Sequence, residues 1–208
     1  MSTSTQMRLE PRKRPIQRRS QATVSAMLEA SIQVLVAVGY HRLTTTRVAE
    51  RAGVSVGTLY QYFPNKQALM VATAGRHLDA VVAAVAQSCA EVKGKRLETV
   101  VSGLVDAFVA AKLAHVDASV ALYQASADAK GARLVRRASE KAIHLVADVL
   151  GSCPDGPAGS PLLAATNIVA ASSAVIQAAL ERDGRQVHAE DLRRHMKAML
   201  LGYLTAIC

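Results

Sequence analysis

The sequence has no tryptophan, and only five Tyr and two Phe carry a benzene ring among its 208 residues. So few aromatics leave any ligand cavity to be walled mainly by aliphatic side chains. Cysteine is equally scarce. Cys89, Cys153 and Cys208 are odd in number and far apart along the chain, which excludes a disulfide framework read from spacing and any Cys-pair metal site. Reduced thiols in a cytoplasmic protein are the expectation. Residues 1–20 are basic and polar, without the apolar run that a secretory signal needs behind them. There is no nucleophile elbow, phosphate-binding loop or zinc-protease motif, so no catalytic residue, cofactor or metal is expected. The spacings of His144 with Asp148 and of Asp191 with His195 fit ordinary helix-surface pairs as well as a catalytic or metal arrangement. Strand-period segments of useful length and internal repeats are also missing.

What is present favours helix. Half of the residues are hydrophobic, and Ala and Val carry much of that content. The formal net charge of +9 is unevenly spread. Residues 1–66 hold ten Lys and Arg against Glu10, Glu29 and Glu50, whereas the remainder holds fifteen against thirteen acids. Positive potential concentrated at one end suits a surface that neutralises phosphates or anionic lipid. One stretch, Leu162 to Leu180, is free of charge over nearly the length of a membrane span. Thr166, Asn167, Ser172, Ser173 and Gln177 interrupt it, and a buried helix rather than a membrane segment is expected.

Along the chain, residues 1–19 read as a flexible basic arm carrying Arg8, Arg12, Lys13, Arg14, Arg18 and Arg19. From about Ser20, Val24, Met27, Leu28, Ser31, Val34, Leu35 and Val38 recur at helical spacing, and Gly39 stops that helix. Further helices are predicted over about 65–92, 97–114, 116–126, 129–150, 162–182 and 190–207. The Pro- and Gly-rich stretch from Gly151 to Pro161 must be a loop.

The segment from Thr44 to Lys66 is the most informative. A threonine among Thr44, Thr45 and Thr46 caps a short helix, Gly53 ends it in left-handed backbone, and Ser55 caps a second helix over Val56–Tyr62. Helices this short need a third to pack on. Val48, Val54, Leu59 and Phe63 fill the small core, with Ala49 and Gly53 keeping the helices close. Val56, Gly57, Thr58 and Gln61 are left facing outward. Gly57 lets a backbone approach DNA, Thr58 can touch a base edge or thymine methyl, and Tyr60, Tyr62 and Lys66 can clamp the sugar-phosphate backbone. This is a helix-turn-helix.

The run from Thr44 through Leu69 resembles the DNA-binding signature of tetracycline-repressor (TetR) family regulators, a likeness covering about residues 20–70. The resemblance implies operator contacts from Thr45, Ser55, Val56, Gly57, Thr58, Tyr60, Tyr62 and Lys66. Position 62 is often histidine in that family, and Tyr62 can donate to phosphate but carries no charge. It also implies a second, larger helical domain with a ligand pocket, and dimerisation through the last two long helices.

The expected architecture is therefore all-α: an N-terminal helix-turn-helix domain over 20–66 and a larger helical ligand-binding and dimerisation domain over 67–208. A two-fold homodimer on a near-palindromic double-stranded operator is expected, because one helix-turn-helix covers only a few base pairs. In the last helix Leu192, His195, Met196, Met199, Leu200 and Tyr203 are interface candidates, and two helices from each subunit would make a four-helix bundle. For a small, mostly apolar effector, Leu78, Val82, Phe108 and Tyr123 are candidate lining residues, with His77, His115 or Gln124 giving orientation and Asp106 or Asp117 available to a cation. Two readings compete with a ligand-released regulator: an architectural DNA-binding protein without a small-molecule input, and a basic protein at a membrane surface.

Overall fold

A computed structural model describes residues 18–116, 119, 129–183 and 186–208. Among them the regular structure is all helix: α1 Arg18–Arg42, α2 Thr45–Ala52, α3 Val56–Tyr62, α4 Lys66–Val92, α5 Leu97–Leu113, α6 Ala129–Leu150, α7 Pro161–Asp183 and α8 Ala189–Thr205. Arg18 and Arg19, expected in the basic arm over 1–19, belong to α1; the rest of that arm, most of the helix expected near 116–126, and with them Asp117, Tyr123 and Gln124 lie outside the described residues.

Local chemistry sets the boundaries. Gly39 adopts φ 75° and ψ 168°, so α1 is broken where the sequence placed its stop, and a further turn follows before Leu43. Asn65 starts α4 by accepting the Ala68 amide on its side chain at 2.8 Å. Gly94, at φ 72°, turns the chain after α4. α5 has no cap from its own flanking side chain. Instead Asp155, far along the sequence, accepts the Leu97 amide at 2.8 Å and pairs with Arg96 at 3.3 Å. Pro161 occupies the first position of α7, where its missing N–H is harmless, and Ser160 accepts the Leu163 amide.

The helices form two compact units. One comprises the described residues of Met1–His77 and Asp117–Ala132, the other those of Leu78–Val116 and Arg133–Cys208. In the first, Met27, Leu35, Leu43, Val48, Leu59, Phe63 and Leu69 are buried in one cluster. α1 and α4 are further joined by Arg76, which donates to the Ser25 carbonyl at 2.8 Å and pairs with Glu29 at 3.6 Å. In the second, α5 packs on α8, and Val100, Val105, Val109, Leu150, Ala165, Met196 and Leu204 are buried together. Asp106 joins the two helices at their surface, accepting from Lys197 at 2.8 Å and lying 3.7 Å from Arg193.

α1, α4 and α7 are each long and apolar enough to cross a membrane by length and composition. In this fold α7 buries Ala164, Ala165, Ile168, Ile176 and Leu180 in protein core. The interrupting Thr166, Asn167 and Gln177 are exposed.

Candidate nucleic-acid interface

The site is built from two capped helices and the turn between them. Thr44 Oγ1 accepts the Arg47 amide at 3.2 Å, which fixes the start of α2. Gly53 ends α2 at φ 67° and ψ 31°, and the Val54 amide reaches back to the Ala49 carbonyl at 3.0 Å. Ser55 Oγ then accepts the Thr58 amide at 3.0 Å and shares a 2.8 Å hydrogen bond with the Thr58 hydroxyl, which fixes the start of α3. Val48, Ala49, Leu59 and Phe63 are buried beneath, with Val54 half-buried against them. The buried apolar positions and Ala49 pack as the segment predicts, but Gly53 does not keep the helices close: it is exposed, a Cβ there meets nothing within 4 Å, and its role is the left-handed turn alone.

On the outward side, Ser55, Gly57, Tyr60 and Gln61 are exposed and Thr58 is half-buried. A Cβ built on Gly57 meets only Ser55 Oγ, at 3.7 Å, so this end of α3 is open to an approaching surface. Thr45 is buried, and its hydroxyl shares a 3.0 Å hydrogen bond with the Tyr60 hydroxyl. That bond ties the start of α2 to the exposed ring of α3. Val56 and Tyr62 are half-buried and pack on the core of the unit.

Lys66 is placed differently from its neighbours on this surface. Its ammonium donates to the Tyr40 carbonyl at 2.6 Å and lies 4.5 Å from the Tyr40 ring centre. Burial pushes its pKa below the ordinary lysine value. The group holds the end of α1 to the start of α4. The sequence missed this role, because nothing in the spacing shows that position 66 lies beside the carbonyl of position 40. It also passed over two exposed cations of α2. Arg47 stands in the first turn, and Arg51 donates to Gln33 of α1 at 2.6 Å.

The candidate effector residues are distributed over both units. His77 is buried and shares a 2.7 Å hydrogen bond with the buried Ser119 in the first. In the second, Leu78 is buried, Val82 is half-buried, and Phe108 is half-buried against the core, whereas His115 is exposed. Asp106 is engaged by Lys197 and Arg193 rather than held for a cation. Asp191 pairs with Arg194 at 2.8 Å. Lys112, not singled out from the sequence, is 5 % exposed with its ammonium 5.9 Å from the Phe108 ring centre. Burial pushes its pKa down to about 8. A charged residue on an apolar helix face carries no periodic signal of burial, which is why it was passed over.

Residues 27–73 match the profile of bacterial regulatory proteins of the tetR family, and residues 97–204 match that of the tetracyclin repressor-like C-terminal domain. An HTH-type transcriptional regulator of Mycobacterium tuberculosis is 36% identical over 80 residues, 38% of this chain and 41% of that protein. The HTH-type transcriptional repressor KstR of Mycolicibacterium smegmatis is 42% identical over 55 residues, 26% of this chain and 27% of the repressor. The matched stretch thus spans less than half the length of these relatives. The fatty acid degradation regulator FadR of Bacillus halodurans has a similar fold, with a TM-score of 0.65 at 20% identity, covering 86% of this chain and 98% of that one.

Proposed function

This chain belongs to the tetR family of bacterial regulatory proteins and is a DNA-binding transcriptional regulator, and from that premise we propose that it is a dimeric repressor released from its operator by a small, mostly apolar effector. The observation that carries the DNA reading is the open, Ser55-capped start of α3, with Gly57, Thr58, Tyr60 and Gln61 together on its outward side. A helix N-terminus with free amides attracts phosphate, Thr58 meets a base edge, and the absent side chain at Gly57 lets the backbone come close. Tyr60 donates to phosphate while Thr45 holds its hydroxyl in place. Val56 supplies apolar contact from its exposed part, and Tyr62 reaches the backbone with its hydroxyl alone. Lys66 acts through the position it gives to α4, as well as through its charge.

Dimerisation through α7 and α8 is supported by what those helices leave uncovered. Leu162, Leu163, Thr166, Asn167, Ala170, Ala174, Gln177 and Ala178 are exposed along α7, as are His195, Met199 and Gly202 along α8. Leu163 is 62% exposed and Met199 41%. A Cβ on Gly202 meets nothing within 4 Å. Of the interface candidates in α8, Met196 and Leu200 are buried in the protomer's own core and Leu192 and Tyr203 are half-buried against it, while His195 and Met199 remain for a partner. The effector acts by favouring a dimer whose two recognition helices are wrongly spaced for successive grooves.

Footprinting on DNA flanking the chain's own gene tests this reading. One protected near-palindrome is expected, and uniform coating favours the architectural alternative. If saturating compounds from a diverse apolar library never weaken that protection, the effector part of the proposal fails.

A further inference from the structure

Cys153 and Cys208 stand at opposite ends of the last long stretch of the chain, yet the fold brings them to one place. The loop that follows α6 is tightly turned: the Cys153 amide donates to the Leu150 carbonyl at 3.2 Å, and the Gly156 amide donates back to the Cys153 carbonyl at 3.2 Å. A Cβ on Gly156 would lie only 3.2 Å from Cys153 Cβ, so Gly156 is packed closely against Cys153. The end of α8 docks on this same turn. The Ala158 amide donates to the Ile207 carbonyl at 3.2 Å, and Cys208 Sγ lies 3.4 Å from the Asp155 carbonyl oxygen. The Cys208 thiol is therefore in contact with the turn that closes over Cys153.

Neither sulfur is committed elsewhere by a strong bond. Cys153 Sγ donates weakly to the Val149 carbonyl at 3.4 Å, and Cys208 Sγ to the Leu204 carbonyl at 3.0 Å, each to the last turn of the helix that precedes it. Both thiols therefore lie at the one turn formed by residues 153–156. Cys208 is exposed and Cys153 is half-buried, while Cys89, the third thiol, is buried in the core.

We propose that Cys153 and Cys208 are an oxidisable thiol pair that closes to an intrachain disulfide on exposure to hydroperoxides. The exposed Cys208 reacts first: its thiolate attacks a peroxide oxygen, the O–O bond breaks, and a sulfenic acid and water are formed. The Cys153 sulfur then attacks the sulfenic sulfur, an S–S bond forms and a second water leaves. Two thiols lose two electrons and two protons, and one hydrogen peroxide becomes two waters. The order follows from exposure and from the Cys153 thiol being pushed up by burial, then by Asp155 and Cys208 itself. The bond ties the α6–α7 turn, whose Asp155 caps α5, to the end of α8.

The test treats the reduced, full-length protein at low concentration with hydrogen peroxide, alkylates remaining thiols, and maps peptides by mass. The expected product has lost two hydrogens, contains one peptide joined through Cys153 and Cys208, and reverts with dithiothreitol. It is absent from Cys153→Ser and from Cys208→Ser, and Cys89 is alkylated only after denaturation. Cys208→Ser, at an exposed position, keeps the thermal midpoint of the reduced protein and so shows that loss of the product is not loss of fold. Separate oxidation of the two cysteines to sulfinic acids, or disulfides only between chains, overturns the proposal.

Discussion

Thr58 takes part in two interactions at the mouth of α3, its amide serving the Ser55 cap and its hydroxyl bonding the Ser55 oxygen. Thr58→Ala keeps the amide and removes the group offered to DNA. It is expected to weaken operator binding by about 1–3 kcal/mol while leaving non-specific binding in place, as fluorescence anisotropy on operator and scrambled duplexes would show. Ser55→Ala acts differently, because it removes the cap itself, and a loss of about 1 kcal/mol is expected in urea unfolding without DNA. Lys112 gives a pH signature. Its folded-state pKa, pushed down by burial to about 8 from the ordinary lysine value of 10.5, means that the unfolded chain binds the extra proton between those values. Its contribution to stability therefore rises with pH across that window, by at most about 1.4 kcal/mol per unit. Unfolding free energies of the wild type minus those of Lys112→Met, taken from pH 8 to 10, should climb. A flat difference would mean that Lys112 is solvated in the folded protein.

At the scale of elements, the helices and their ends were largely legible because they are written in local chemistry. Thr44, Gly53 and Ser55 act over three or four residues, and each does in the structure what its type predicts. Gly53→Val should cost about 1–2 kcal/mol, since a β-branched residue is strained at φ 67°. What local chemistry does not contain is the partner from a distant segment. The cap of α5 comes from Asp155, the anchor of Lys66 is the Tyr40 carbonyl, and Thr45 is bonded to Tyr60. So the outward placement of Gly57 and Gln61 could be read from spacing, whereas Val56, expected outward but half-buried against the core, Lys66 as a structural tie and Tyr62 as a half-buried ring could not. Asp155→Ala tests the distant cap: it is expected to lower stability by about 1–2 kcal/mol, read by urea unfolding. Arg96→Ala, which removes only an exposed pair, should change little.

At the scale of the whole molecule, the apolar residues left uncovered on α7 and α8 bear on assembly. Leu163→Glu and Met199→Glu are expected to shift the protein from dimer to monomer in analytical ultracentrifugation without loss of helix by circular dichroism. Operator affinity should fall with the dimer, since two half-sites are then no longer bound as one unit. The basic residues Arg12, Lys13 and Arg14 lie outside the described residues, and their part is a matter of charge. Replacing all three by Ala should reduce the slope of log affinity against log salt by up to about 3 if each neutralises a phosphate, and an unchanged slope would make the run a bystander. The most direct test of a dimeric, sequence-reading regulator is selection of bound duplexes from a random pool. The enriched sequences should form a near-palindrome with half-sites ~34–36 Å apart or a multiple of it, and lose that enrichment in Thr58→Ala. A pool with no enriched motif, or a lone half-site bound equally well by the monomeric variants, would contradict it.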